Sequence, residues 1–75
     1  MVKPTKVTNS IRAVREAAGI TQADLARRVG VTRQTLIAIE QGRYSPSLET
    51  AFQIARIFRV PLDEVFHYPQ GDEEP

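Results

Sequence analysis

The sequence predicts a compact all-α fold of five short helices, on three observations. Apolar residues recur at helical spacing in successive stretches. Threonine, serine or asparagine precedes most of these stretches, and glycine or proline follows them. No strand-like alternation, internal repeat or low-complexity run interrupts the pattern before the last residues.

The first helix is expected to start at a Thr8 or Asn9 cap. Ile11, Val14 and Ala18 form its apolar side, and Gly19 stops it. Thr21 caps the second helix, with Asp24 as a capping-box partner and Leu25, Ala26 and Val29 facing inward. Gly30 supplies the left-handed turn that a side chain resists. Thr32 caps the third helix, which ends near Gln41-Gly42. The loop Tyr44-Ser45-Pro46-Ser47 opens a fourth helix running to about Phe58, because serine caps and proline tolerates a first helical turn. Its expected inward stripe is Leu48, Ala51, Phe52, Ala55 and Phe58, which leaves Ile54 and Ile57 off it. Arg59-Val60-Pro61 breaks this helix, and Pro61 opens a short fifth one through Val65 or Phe66. Residues 1–8 read as a flexible basic arm, 9–67 as the folded domain and 68–75 as an acidic disordered tail.

Composition narrows the function. At 75 residues one domain is the limit. The chain has no cysteine, which removes thiolate catalysis and thiolate metal sites, and its single histidine, His67, cannot build a metal site alone. No cofactor is expected, and no catalytic constellation is visible. The start lacks an apolar stretch of signal-peptide length, and nothing is long enough to span a membrane, so a cytoplasmic protein is expected. Charge is uneven. Residues 1–44 carry eight Lys and Arg against three Asp and Glu, whereas 45–75 carry two against six. A polyanion is drawn to the first part and repelled by the second.

The two helices around Gly30, within residues 22–41, have the layout of a helix-turn-helix, whose second helix enters the DNA major groove. On a wheel of about 100° per residue, Leu36 and Ile39 of that second helix point to the core. Gln34 and Gln41 lie opposite, flanked by Arg33 and Ile37 on one side and Ala38 on the other, with Thr35 at the boundary. This face suits base reading. Arginine donates two hydrogen bonds to guanine, glutamine pairs with adenine, and Ile37 and Ala38 suit thymine methyls. The same residues also suit a plain solvated helix face. Glu40 falls beside Leu36, toward the core, and needs a partner there. Arg15 is the candidate, and the pair reads as structural.

These residues resemble the Xre family of helix-turn-helix regulators, which includes phage Cro proteins and phage repressors of the lambda type. The resemblance covers about residues 9–66. Gln22 opening the second helix, Ala26 at the crossing, Gly30 in the turn and Val31, Leu36 and Ile39 in the core carry it. Thr32-Arg33-Gln34-Thr35-Leu36 with Ile39-Glu40-Gln41-Gly42-Arg43 is similar to the recognition helix of small bacterial members. Pro46-Ser47-Leu48-Glu49-Thr50-Ala51 is similar to the start of their fourth helix.

The resemblance implies a lambda-repressor-like domain that binds double-stranded DNA, as a transcriptional regulator and a repressor. It implies base reading by Arg33, Gln34, Thr35 and Ala38, phosphate contact by Gln22 and Arg43, and a buried Arg15–Glu40 pair. Ala38 departs from the long polar reader of some relatives. Thr32 and Tyr44, with Lys3 and Lys6, are expected to add backbone contacts. One such domain reads few base pairs, so a homodimer on a palindromic operator is expected. Ile57, Val60, Leu62, Val65 and Phe66 are its candidate interface, although most of them also suit the core of a small domain. An antitoxin-like or adaptor protein that holds a partner through its C-terminal segment is the alternative. His67 is either a surface residue or a pH-sensitive contact. The sequence names no small-molecule effector.

Overall fold

Three of the four α-helices begin at a hydroxyl side chain that caps them. In the computed structural model, which describes residues 5–69, the order is β1 (Thr8–Asn9), α1 (Ile11–Ala18), α2 (Gln22–Val29), α3 (Arg33–Glu40), α4 (Leu48–Phe58), a 3-10 turn (Leu62–Glu64) and β2 (Phe66–His67). Thr21, Thr32 and Ser47 accept hydrogen bonds from the amides of Asp24, Thr35 and Thr50. Each satisfies a donor that the first helical turn leaves unpaired. Gly19 and Gly30 end α1 and α2 in the left-handed conformation, at φ 72° and 76°. Lys3 and the acidic residues from Asp72 to Glu74 lie outside the described residues.

The core gathers aliphatic residues from all four α-helices and from Val65 after the 3-10 turn. Ile11, Leu25, Leu36, Ile54 and Val65 have no exposed surface, and Ile39 has almost none. Burying such a side chain contributes about 1.5–3 kcal/mol, so this cluster outweighs any single polar contact in holding the fold.

Several expectations are corrected. The fifth helix is a single 3-10 turn, so the described residues hold four α-helices. Pro61 stands before the turn in extended backbone, and the carbonyl of Val65 accepts from the amide of Ser10 at 2.8 Å. The chain then leaves as β2, antiparallel to β1, with Thr8 opposite His67 and Asn9 opposite Phe66. Two-residue strands are too short to show alternation in sequence. They also anchor the stretch expected to be a free arm, as does the contact between the Thr5 and Ser45 hydroxyls at 2.6 Å.

The start of α1 differs as well. Ser10 occupies the cap position but its side chain does not cap the helix, and Asn9 Oδ1 reaches forward to accept from the Ile11 amide at 3.1 Å. Ala18 is exposed, because α1 ends there and Ile20, beyond the turn, packs on the core instead. Asp24 does not close a capping box, since its carboxylate pairs with Arg27 and Arg28. Pro46 precedes the Ser47 cap and so lies outside the helix.

The largest correction concerns α4. Its buried residues are Ala51, Ile54 and Ala55. Leu48 and Phe52 face solvent, 68% and 53% exposed. The helix is rotated relative to the expected stripe, so that it packs through Ile54 and the small Ala51 and Ala55.

Candidate nucleic-acid interface

The geometry of α2 and α3 is set by the turn between them. The Gly30 amide donates to the Arg27 carbonyl and the Val31 amide to that of Ala26, at 3.3 and 3.0 Å. A side chain at Gly30 would meet nothing within 4 Å, so the glycine is required by backbone angle rather than by space. Leu25, Ala26 and Val29 pack with Leu36 and Ile39 in one cluster. With that face buried, the other face of α3 must point out.

Arg33 and Gln34 are exposed at its leading end, and Thr35, Ile37 and Ala38 are half-buried beside them. Thr32 accepts from the Thr35 amide and donates to the Thr35 hydroxyl at 2.9 Å. The Thr35 hydrogen is thereby left to donate outward. Arg33, Ile37 and Gln41 form one wall of a cleft whose other walls are Arg12 and Glu16 of α1 and Gln22 and Ala23 of α2. The one acid of α3, Glu40, lines the cleft beside Arg33 and Ile37, with its carboxylate held by Arg15 and Gln22.

Glu40 turns inward. Its carboxylate accepts from Arg15 Nε at 2.9 Å, and both side chains are nine-tenths or more buried. Arg15 also donates to the Ile20 carbonyl at 3.1 Å. Gln22 Nε2 donates to the same carboxylate at 3.2 Å. The network therefore joins α1, the first residue of α2 and the last residue of α3. Sequence reasoning placed Gln22 at the phosphate backbone and missed its bond to Glu40. The signal available was its place at the opening of α2, within reach of a buried acid. Asn9 was also missed as a site residue. Its Nδ2 donates to the Ile39 carbonyl at 2.9 Å, tying β1 to the end of α3.

Half of the eight basic residues in the first part of the chain pair with its three acids, which leaves the net positive excess of that part unchanged. Arg12 pairs with Glu16, Arg15 with Glu40, and both Arg27 and Arg28 with Asp24. Among the described residues, Lys6, Arg33 and Arg43 have no acidic partner. Arg43 and Tyr44 are exposed in the loop after α3, and Thr32 is exposed at its start.

The residues expected to pair two copies are placed differently from one another. Val65 has no exposed surface, and Ile57, Val60, Leu62 and Phe66 are half-buried against the core. His67 is exposed, with its Nε2 3.0 Å from the Ser10 hydroxyl. Among the described residues, no group of three His, Cys, Asp or Glu could hold a metal ion, and no helix is long and apolar enough to cross a membrane.

The pattern of the helix-turn-helix family matches residues 11–65. The chain is 48% identical over 65 residues to an uncharacterized helix-turn-helix transcriptional regulator of Methanocaldococcus jannaschii, covering 87% of this chain and 97% of that one. It is 34% identical over 58 residues to the cryptic phage CTXphi transcriptional repressor RstR of Vibrio cholerae, covering 77% of this chain and 52% of the repressor. Among solved structures it resembles the restriction-modification controller protein C.AhdI of Aeromonas hydrophila. That likeness has a TM-score of 0.66 and 28% identity, and covers 72% of this chain and 82% of that one. These likenesses favour a regulator over an antitoxin-like or adaptor protein.

Proposed function

The chain belongs to the helix-turn-helix family, and from that premise we propose that it represses transcription by reading double-stranded DNA in the major groove with α3. One observation carries this reading. α3 holds Leu36 and Ile39 in the core while presenting Arg33, Gln34 and Thr35 outward, with its one acid, Glu40, paired to Arg15.

Two kinds of contact divide the work. Arg33, Gln34, Thr35, Ile37 and Ala38 face the base edges. Arginine there selects guanine, glutamine selects adenine, and the two apolar residues meet thymine methyls. Gln22, Thr32, Arg43 and Tyr44 face the phosphates and supply affinity without sequence preference. Gln22 can serve while bonded to Glu40, because its amide nitrogen carries a second hydrogen. Arg15 and Glu40 hold the two helices in register and touch no base. A homodimer on a palindromic operator supplies the selectivity that one short helix lacks.

Competition binding at physiological salt tests the reading. Specific sites bind about a thousandfold or more tighter than random duplex, and this chain is expected to show such a ratio for its own operator. Equal affinity for every duplex would overturn the proposal.

A further inference from the structure

Leu48 and Phe52 are large apolar side chains left in water on α4, 68% and 53% exposed. They stand one turn apart on one flank of the helix. The flank continues onto the 3-10 turn, because Leu62 lines both a depression with Phe52 and Ala55 and another with Leu48, Ala51 and Phe66. Neither depression shares a residue with the cleft beside α3. Large apolar side chains grouped on one flank, rather than scattered singly, are the feature by which interaction surfaces are recognised.

The charges beside the strip say what covers it. Glu49 stands at the beginning of α4, and Arg56 and Arg59 at its end. Among the described residues none of the three takes part in an ion pair. Glu49 and Arg56 are two helical turns apart on the same side, with Phe52 near their midpoint. A two-fold axis through that midpoint exchanges the ends of the helix. It brings Glu49 to the partner's Arg56 and the partner's Arg59, and sets Phe52 beside the partner's Phe52. The same contact then forms twice, which is the property of a self-complementary surface.

We propose that two copies of this chain pair through this flank, with their α4 helices antiparallel across Phe52 and Glu49 facing the partner's basic end. The inference rests on the reading that two copies share one operator, and it assigns the seam to α4. Val65, expected at the seam, is instead interior.

Sedimentation equilibrium on the full chain tests it with reversed charges at these exposed positions. Glu49→Arg alone, or Arg56→Glu with Arg59→Glu, sets like charges face to face and is expected to raise the dimer Kd about tenfold or more. The triple reversal is expected to restore most of the loss, because the charges again alternate. Phe52→Ser is expected to weaken the dimer likewise while leaving the helical circular dichroism of the chain intact. Reversals without effect, a triple variant no better than its parents, or a wild-type chain that stays monomeric with operator present would each overturn the seam. Binding to a single half-site duplex is measured alongside. Half-site binding by a chain that does not dimerise overturns the seam alone, whereas loss of sequence preference by the wild-type chain overturns the DNA reading itself.

Discussion

The side-chain amide of Gln22 donates to the carboxylate of Glu40 at 3.2 Å, joining the first residue of α2 to the last residue of α3. Arg15 holds the same carboxylate from α1 at 2.9 Å. The residue proposed to meet a phosphate is thus bonded to the ion pair that holds the end of α3. The placement of α1, α2 and α3 depends on one small network.

That network yields the first prediction. Gln22→Ala removes one hydrogen bond to a charged group and is expected to cost about 1.5 kcal/mol of stability. Gln22→Glu sets a second carboxylate beside Glu40 and is expected to cost more. It should also weaken every duplex alike, because it places negative charge toward the phosphates. Urea denaturation with parallel binding titrations checks both. A Gln22→Glu variant as stable as the wild type would contradict the network.

Removing the acid itself is expected to be severe. Glu40→Ala leaves the Arg15 guanidinium buried without a counter-charge, which costs about 3–5 kcal/mol. Domains of this kind have only about 5–15 kcal/mol in total. The variant should be largely unfolded well below the wild-type urea midpoint. A loss under about 1 kcal/mol, the size of a surface ion pair, would show that the pair is dispensable.

Asn9 is expected to matter to both folding and DNA binding. It bonds the Ile11 amide and the Ile39 carbonyl, so Asn9→Ala frees the start of α1 and the end of α3 together. Each hydrogen bond lost costs about 0.5–1.5 kcal/mol. Amide hydrogen exchange should show the loss concentrated at the ends of α1 and α3. Uniform exchange along the chain would argue against the clasp.

The division between base and phosphate contacts separates two further variants. Gln34→Ala is expected to cost about 1–3 kcal/mol on the cognate site and to relax preference at one or two base pairs. Arg43→Ala should weaken all sequences alike and reduce the salt slope by about one. Titrations against the cognate and a scrambled duplex at several salt concentrations distinguish them. Identical behaviour of the two variants would contradict the assignment.

Much of this architecture is legible in the residues because the punctuation is local. Thr21, Thr32 and Ser47 cap by their own side chains, and Gly19 and Gly30 end helices by their own backbone freedom. The outward face of α3 follows from two buried residues, Leu36 and Ile39. What was not legible depends on neighbours far along the chain. The β1–β2 pair joins Thr8 to His67, and no short window holds both. The phase of α4 was misjudged because Leu48 and Phe52 are the more apolar residues, while the helix packs through Ala51, Ile54 and Ala55. The bond from Gln22 to Glu40 links residues eighteen positions apart in sequence. Which basic residues are free also depends on the fold, because four of them pair with the three acids of the same part of the chain.

The central claim is that α3 reads DNA sequence. The most direct measurement is retention of sheared genomic fragments by the purified chain at physiological salt, the condition under which specificity has meaning, beside the Gln34→Ala variant. The account predicts a small set of fragments sharing a palindromic site, with recognition at one or two positions relaxed in the variant. Weak retention of all fragments alike, lost as salt rises and unchanged in the variant, would contradict it.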